Sequence, residues 1–219
     1  MPIRSTGSAG GKNKAEMYRK IGKRVLDILL SGLAILILSP FFLIIAVWIR
    51  LDSRGPAFFR QKRFGIRRTT FDILKFRTMR KDAPKDVPTH LFDESDKWIT
   101  RAGRFLRKTS LDELPQVLQI FTGKMSIVGP RPALWNQYDL IDARDKNGAN
   151  DIRPGLTGWA QVNGRDELSV AEKARFDGEY AANVTFGMDL KCLWETVKAV
   201  VTHRGVREGR HEDETKTDK

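Results

Sequence analysis

The sequence predicts a mainly α-helical protein with a small β-hairpin, a monotopic membrane protein with a re-entrant N-terminal helix and amphipathic interfacial helices. Three observations predict it. Residues 28–49 carry no charge, a run of about 22 residues, close to what an α-helix needs to cross a ~30 Å hydrocarbon core. Both flanks of that run are basic: Lys12, Lys14, Arg19, Lys20, Lys23 and Arg24 precede it, and Arg50, Arg54, Arg60, Lys62 and Arg63 follow. Downstream, two short stretches alternate apolar and basic residues, and the remainder shows helical spacing.

Each element follows in order. Residues 1–13 are rich in Gly, Ser and Lys and predict a disordered tail. Residues 14–54 form a basic lead and the membrane helix. Lys/Arg-rich flanks stay on the cytoplasmic side, so two of them pull both ends to one side. Ser39-Pro40 near the middle supplies a break, since proline removes a helical donor. The alternative is a spanning helix with a tolerated proline kink. Residues 55–205 form the cytoplasmic domain. Residues 58–65 and 70–77 predict two strands around a turn. Residues 97–107 predict an amphipathic helix with Trp98, Ile99, Ala102, Phe105 and Leu106 on one face. A further helix is expected after Ser110, and others over about 134–143, 170–180 and 190–201. Residues 206–219 predict a disordered charged tail.

Composition narrows the partners. The 219 residues hold 39 Lys+Arg against 27 Asp+Glu, a net charge of +12. Such an excess suits a polyanion: nucleic acid, anionic membrane lipid or a phosphorylated substrate. Nucleic acid is disfavoured, because the basic residues are spread through loops beside acids rather than gathered with aromatics on one element. Cys192 is the single cysteine, so no intrachain disulfide forms. There is no G-x-x-x-x-G-K-[ST] loop and no dinucleotide-binding G-x-G-x-x-G after a strand. Three scattered histidines and one cysteine build no zinc site.

Three segments carry candidate chemistry. In Thr109-Ser110-Leu111-Asp112-Glu113-Leu114-Pro115, Ser110 and Glu113 have capping-box spacing, which by itself only starts a helix. Asp112 then falls in the first helical turn, where its ionised form is favoured. An ionised carboxylate beside a second acid is a candidate nucleophile, metal ligand or both. The second segment set is cationic: Lys75, Arg77, Arg104, Arg107 and Gly129-Pro130-Arg131-Pro132. An arginine between two prolines sits on stiff backbone, and its fork suits phosphate. The bland alternative for each is solvated surface. The third is Arg153-Pro154-Gly155-Leu156-Thr157-Gly158-Trp159-Ala160-Gln161-Val162-Asn163-Gly164, whose glycines predict a shaped loop able to present donors to a ligand.

Taken with Arg60-Gln61-Lys62-Arg63-Phe64-Gly65 and Lys75-Phe76-Arg77-Thr78-Met79, these motifs occur in an order that resembles the bacterial sugar transferases, the monotopic phosphoglycosyl transferases. The resemblance covers about residues 18–205. It implies transfer of a phosphosugar from a UDP-sugar to polyprenyl (undecaprenyl) phosphate with release of UMP, at the cytoplasmic face of the bacterial inner membrane. It also implies Mg²⁺ and a covalent phosphosugar–enzyme intermediate. By motif position the nucleophile is Asp112, also a metal ligand, and its dyad partner is Glu113. Lys75, Arg77, Arg107, Arg131, Arg153 and Gln161 are the expected substrate contacts. A homodimer is compatible with this picture. Two rival classes remain: a non-catalytic basic membrane protein, and a glycosyl transferase moving the sugar alone.

Overall fold

The hairpin forms where the alternation predicts it. In a computed structural model describing residues 9–83, 95–164 and 167–201, strand β1 (Phe58–Phe64) pairs antiparallel with β2 (Thr70–Phe76). Lys62 lies opposite Asp72 and Phe58 opposite Phe76. The turn between them is a 3₁₀ segment at Ile66–Arg68, with Arg67 and Arg68 left-handed.

The N-terminal region is helical from Ala9. Helix α1 (Ala9–Met17) and a π-helical turn (Tyr18–Gly22) lead into α2 (Lys23–Asp52). Helix therefore reaches into the last residues of the tail expected over 1–13; residues 1–8 lie outside the described residues, as does the tail at 206–219. Helix α2 is long and apolar enough, by length and composition, to cross a membrane.

The break expected at Ser39 and Pro40 is absent from the secondary structure, because α2 stays helical through both. The physical reason is local. Pro40 has no N–H for the Leu36 carbonyl one turn back. The Ser39 hydroxyl donates to that carbonyl instead, at 3.1 Å. Side-chain replacement of a lost backbone bond is how helices in lipid keep a proline.

Both ends of α2 rest on the same folded body. Near its start, Arg24 donates to the Ile120 and Phe121 carbonyls at 2.7 and 2.8 Å. The Asp27 carboxylate accepts the Ile127 N–H at 2.9 Å. Near its end, Phe42, Ile45, Ala46 and Ile49 join a core cluster with Phe76, Ala102 and Leu106. Between these contacts the helix exposes large apolar side chains: Leu33 is 56% exposed, Leu36 74% and Ile37 58%.

The remaining helices depart from the expected bounds in both directions: those expected over 97–107 and 134–143 are broken or shorter, while those expected over 170–180 and 190–201 are longer. The stretch 97–107 is two helices, α3 (Ser95–Trp98) and α4 (Arg101–Lys108). The break at Ile99-Thr100 arises because Ile99 bridges to Met79 and Thr100 caps α4, its hydroxyl accepting the Gly103 N–H at 2.9 Å. Gly103 is required there: a Cβ would stand 1.9 Å from the Thr78 carbonyl oxygen. A 3₁₀ segment (Leu111–Gln116) runs into α5 (Val117–Phe121), and β3 (Ser126–Val128) follows. Helix α6 (Tyr138–Asp145) starts later than expected because Leu134 is spent on a bridge to Arg63. The expected shaped loop contains β4 (Gly155–Thr157), parallel to β3, and one helical turn, α7 (Trp159–Val162). Helices α8 (Val170–Ala182) and α9 (Phe186–Val201) close the described chain. Ser169 and Glu172 form a reciprocal capping box at the start of α8. Along α9, Phe186, Leu190, Trp194 and Val197 form an exposed apolar stripe.

Candidate active site

The capping box expected at Ser110–Glu113 does not form. Ser110 is left-handed (φ 56°) and its side chain caps nothing. A non-glycine residue in that region costs on the order of 1 kcal/mol and such strain gathers at functional sites. The following segment is 3₁₀, with three residues per turn, so Leu111 and Leu114 eclipse one another. Both pack on the core cluster around Phe76. That leaves Asp112 and Glu113 on the other sides of the turn, facing β2 and the 129–132 loop.

Glu113 is clamped. One of its carboxylate oxygens accepts from Lys75 Nζ at 2.7 Å and from Arg131 Nη2 at 2.8 Å. Its side chain is only 15% exposed. Burial raises its pKa, but Arg131 and Lys75 outweigh that and hold it well below the usual carboxylate range. Asp112, in contrast, accepts no hydrogen bond among the described residues. Burial pushes its carboxyl up; Lys75 opposes this, Glu113 adds to it, and Arg107 and Arg131 oppose it. Adjacent acids are thus driven apart in behaviour, a common arrangement where one is structural and the other reacts. Asp112 is a free carboxylate inside a ring of cations.

The loop carrying Arg131 is built by two backbones in close approach. The Gly129 N–H donates to the Thr157 carbonyl at 2.8 Å, and Gly155 N–H to the Pro130 carbonyl at 2.9 Å. A Cβ at Gly155 or Gly158 would lie 2.1 or 2.0 Å from Gly129 backbone atoms. The two glycine-rich motifs are therefore one crossing, which the separate sequence segments did not reveal. On the other side, Phe64 N–H donates to the Ala133 carbonyl at 2.9 Å, and Arg63 Nη1 to the Pro132 carbonyl at 3.1 Å.

Five expected residues converge: Asp112, Glu113, Lys75, Arg107 and Arg131. Three do not. Arg77 lies away from the acidic pair: it is 4% exposed, and its guanidinium donates to the carbonyls of Arg54 and Ser53 and to the Ser53 hydroxyl at 2.7–2.9 Å. It closes the C-terminal end of α2. Arg153 is exposed and donates to the Gly123 carbonyl at 3.0 Å. Gln161 donates to the Leu156 carbonyl at 3.2 Å, while its Oε1 is buried without a partner. Neither touches the dyad.

A family model described as "Bacterial sugar transferase" matches residues 18–203. The chain belongs to the bacterial sugar transferase family. The transferase is 41% identical over 189 residues to a UDP-glucose:undecaprenyl-phosphate glucose-1-phosphate transferase of Caulobacter vibrioides, covering 82% of this chain and 70% of that one. It is 41% identical over 184 residues to the protein of that name in Escherichia coli, covering 80% of this chain but 39% of the relative. The exopolysaccharide production protein ExoY of Rhizobium meliloti is 36% identical over 200 residues, covering 84% and 88%.

Two residues against Arg131 escaped the sequence expectations. Arg63 is half-buried beside Arg131, and desolvation with that neighbouring charge brings the pKa of its guanidinium down to about 10. Its motif was legible, its place was not. Arg144 lies on the buried face of α6 with Leu140 and Ile141. A cation on an apolar face was the available signal.

Proposed function

We propose that the transferase moves a phosphosugar from a UDP-sugar to undecaprenyl phosphate through a covalent intermediate on Asp112. The observation that carries this is the unengaged Asp112 carboxylate among Lys75, Arg107 and Arg131, beside a Glu113 already spent on two of those cations. Relatives whose printed names give UDP-glucose and undecaprenyl phosphate support the substrate classes.

In the first displacement an Asp112 oxygen attacks the phosphorus that bears the sugar. The bond from that phosphorus to the UMP oxygen breaks, and UMP leaves with the electron pair. In the second, an oxygen of undecaprenyl phosphate attacks the same phosphorus and the Asp112–phosphorus bond breaks. The product is undecaprenyl-diphosphate-sugar, and the carboxylate is restored. Both steps gather negative charge, which fixed cations stabilise without reorganisation. Glu113 holds Lys75 and Arg131 at the site's edge.

Among the described residues no three acidic, histidine or cysteine side chains gather, so the protein would offer Mg²⁺ a single hard ligand. A hard oxygen ligand free of hydrogen bonds is what this ion takes from a protein, with substrate phosphates supplying further ligands. Asp112 is the residue that would hold it, and bound there it would neutralise phosphate charge.

The membrane reading follows from α2. A straight helix of 30 residues is about 45 Å long, yet both its ends rest on one body and its middle is bare. That supports a re-entrant helix entering and leaving by one face, with the basic flanks favouring the cytoplasmic side of the inner membrane. The exposed stripe on α9 supports an amphipathic helix at the same interface.

The test uses Asp112→Asn. Purified wild type should release UMP from a UDP-sugar with Mg²⁺ and undecaprenyl phosphate, and mass spectrometry should find a phosphosugar on Asp112. The variant should lose turnover by at least about 10³-fold. Full turnover by Asp112→Asn would sink the mechanism.

A further inference from the structure

Arg131 occupies a loop whose backbone is held from outside the site. Prolines 130 and 132 restrict the neighbouring dihedrals, so the orientation of the Arg131–Pro132 peptide decides where the Arg131 side chain reaches. The carbonyl of Arg131 accepts from Arg144 Nη1 at 3.0 Å. Arg144 is itself held by two bonds to one oxygen of Asp177, from Nε at 2.8 Å and Nη2 at 2.5 Å. Both partners are buried, Arg144 5% and Asp177 0% exposed. The other Asp177 oxygen has no hydrogen-bond partner.

A buried ion pair is weak as a stability device, because well-packed apolar residues do as well or better. An unpartnered buried oxygen adds to that cost. What an apolar pair could not supply is the third bond, from Arg144 to the Arg131 carbonyl. We propose that Arg144 and Asp177 are a positioning pair for Arg131: Asp177 orients the Arg144 fork, and the fork sets the peptide from which Arg131 reaches Glu113 and the substrate phosphate. The chain of contacts runs from α8 through α6 to the dyad. It joins a helical pair otherwise remote from the chemistry to the reaction. The proposal rests on the transferase reading only in naming the substrate phosphate.

The variant of choice is Arg144→Lys, which keeps a cation opposite Asp177 but loses the fork. Turnover is measured as UMP release and binding as UDP-glucose affinity, each with Arg131→Ala and with the double variant Arg131→Ala/Arg144→Lys. Arg144→Lys should lower turnover or affinity by about 10- to 100-fold, as loss of supporting contacts behind a site does. In the Arg131→Ala background it should change neither, because the side chain it positions is gone. Where Arg131→Ala leaves no measurable turnover, the affinities close the cycle.

Equal losses in both backgrounds would overturn the proposal, as would wild-type behaviour of Arg144→Lys or of Arg131→Ala. A loss that follows the melting curve of Arg144→Lys, and vanishes well below its midpoint, would also overturn it. A wild type that binds UDP-glucose with a non-additive cycle but never releases UMP would sink the transferase mechanism and leave the positioning pair standing.

Discussion

Lys75 and Arg77 stand two residues apart and bond in different places, Lys75 to Glu113 and Arg77 to the end of α2. Both are cations of the type that binds phosphate, which is why the sequence suggests two phosphate contacts. The strand ends at Phe76, and the Arg77 guanidinium turns to the end of α2. It lies where a Cβ on Gly55 would be, 2.0 Å from its Nη1. Removing it strands several carbonyls, and hydrogen bonds from a charged donor contribute about 1.5–3 kcal/mol each. Arg77→Ala should therefore lower stability by roughly 3 kcal/mol, a fall of about 6–12 °C in melting midpoint for a chain of this size, with the KM for UDP-sugar unchanged in the folded protein. Lys75→Ala should do the reverse, losing about 10²-fold in turnover with a small change in midpoint. A raised KM with unaltered melting in Arg77→Ala would return that residue to the site.

At the scale of the element, α2 combines two features that ordinarily conflict, an internal proline and unbroken helicity. The Ser39 hydroxyl resolves the conflict at the Leu36 carbonyl. Ser39→Ala should destabilise by about 1 kcal/mol, within the range of side-chain hydrogen bonds inside membranes. In a Pro40→Ala background the backbone N–H returns to that carbonyl, so the same change should be close to neutral. Unfolding of the four proteins in bicelles measures the coupling, and additive losses would refute the assigned partner. The 3₁₀ turn at Leu111–Gln116 teaches a related lesson. Its Ser-x-x-Glu spacing fits a cap, yet Glu113 is drawn instead to Lys75 and Arg131 from elements distant in sequence. At Ser169–Glu172 no cation among the described residues hydrogen-bonds the carboxylate, and the same spacing does form the box. Local spacing is decided by what else competes for the carboxylate.

At the scale of the molecule, the body gathers both ends of α2, and this defines a topology experiment. Cysteines introduced singly at Arg19 and at Arg54 should react with a membrane-impermeant maleimide only in inverted vesicles. Native Cys192 is buried and its thiol is pushed up to about 12, so it should stay silent in the folded protein. Labelling of either position in intact cells with a permeabilised outer membrane would replace the re-entrant helix with a spanning one. The same thiol gives a sign for alkaline stability. As pH rises from the ordinary thiol value of 9.0 toward 12, the unfolded chain releases a proton the folded chain keeps, so this group's contribution to stability falls.

The sequence by itself determined the hairpin, the long apolar helix, the adjacent acids Asp112 and Glu113 and the cationic residues available to surround them. These are legible because they rest on short-range physics: alternation, uncharged length and the residue types that phosphate chemistry needs. Only the tertiary structure decided which cations meet the dyad. Lys75 and Arg131 reach Glu113 across 38 and 18 residues of chain, whereas Arg77, close in sequence to Lys75, is consumed by a helix end. It also decided that Gly129 and Gly155–Gly158 form one crossing, and that Arg144 reaches the loop from behind. The reason is common to all of these. A buried donor or acceptor must be satisfied by whatever the packing brings near, and that partner is chosen by the fold rather than by its neighbours in the chain.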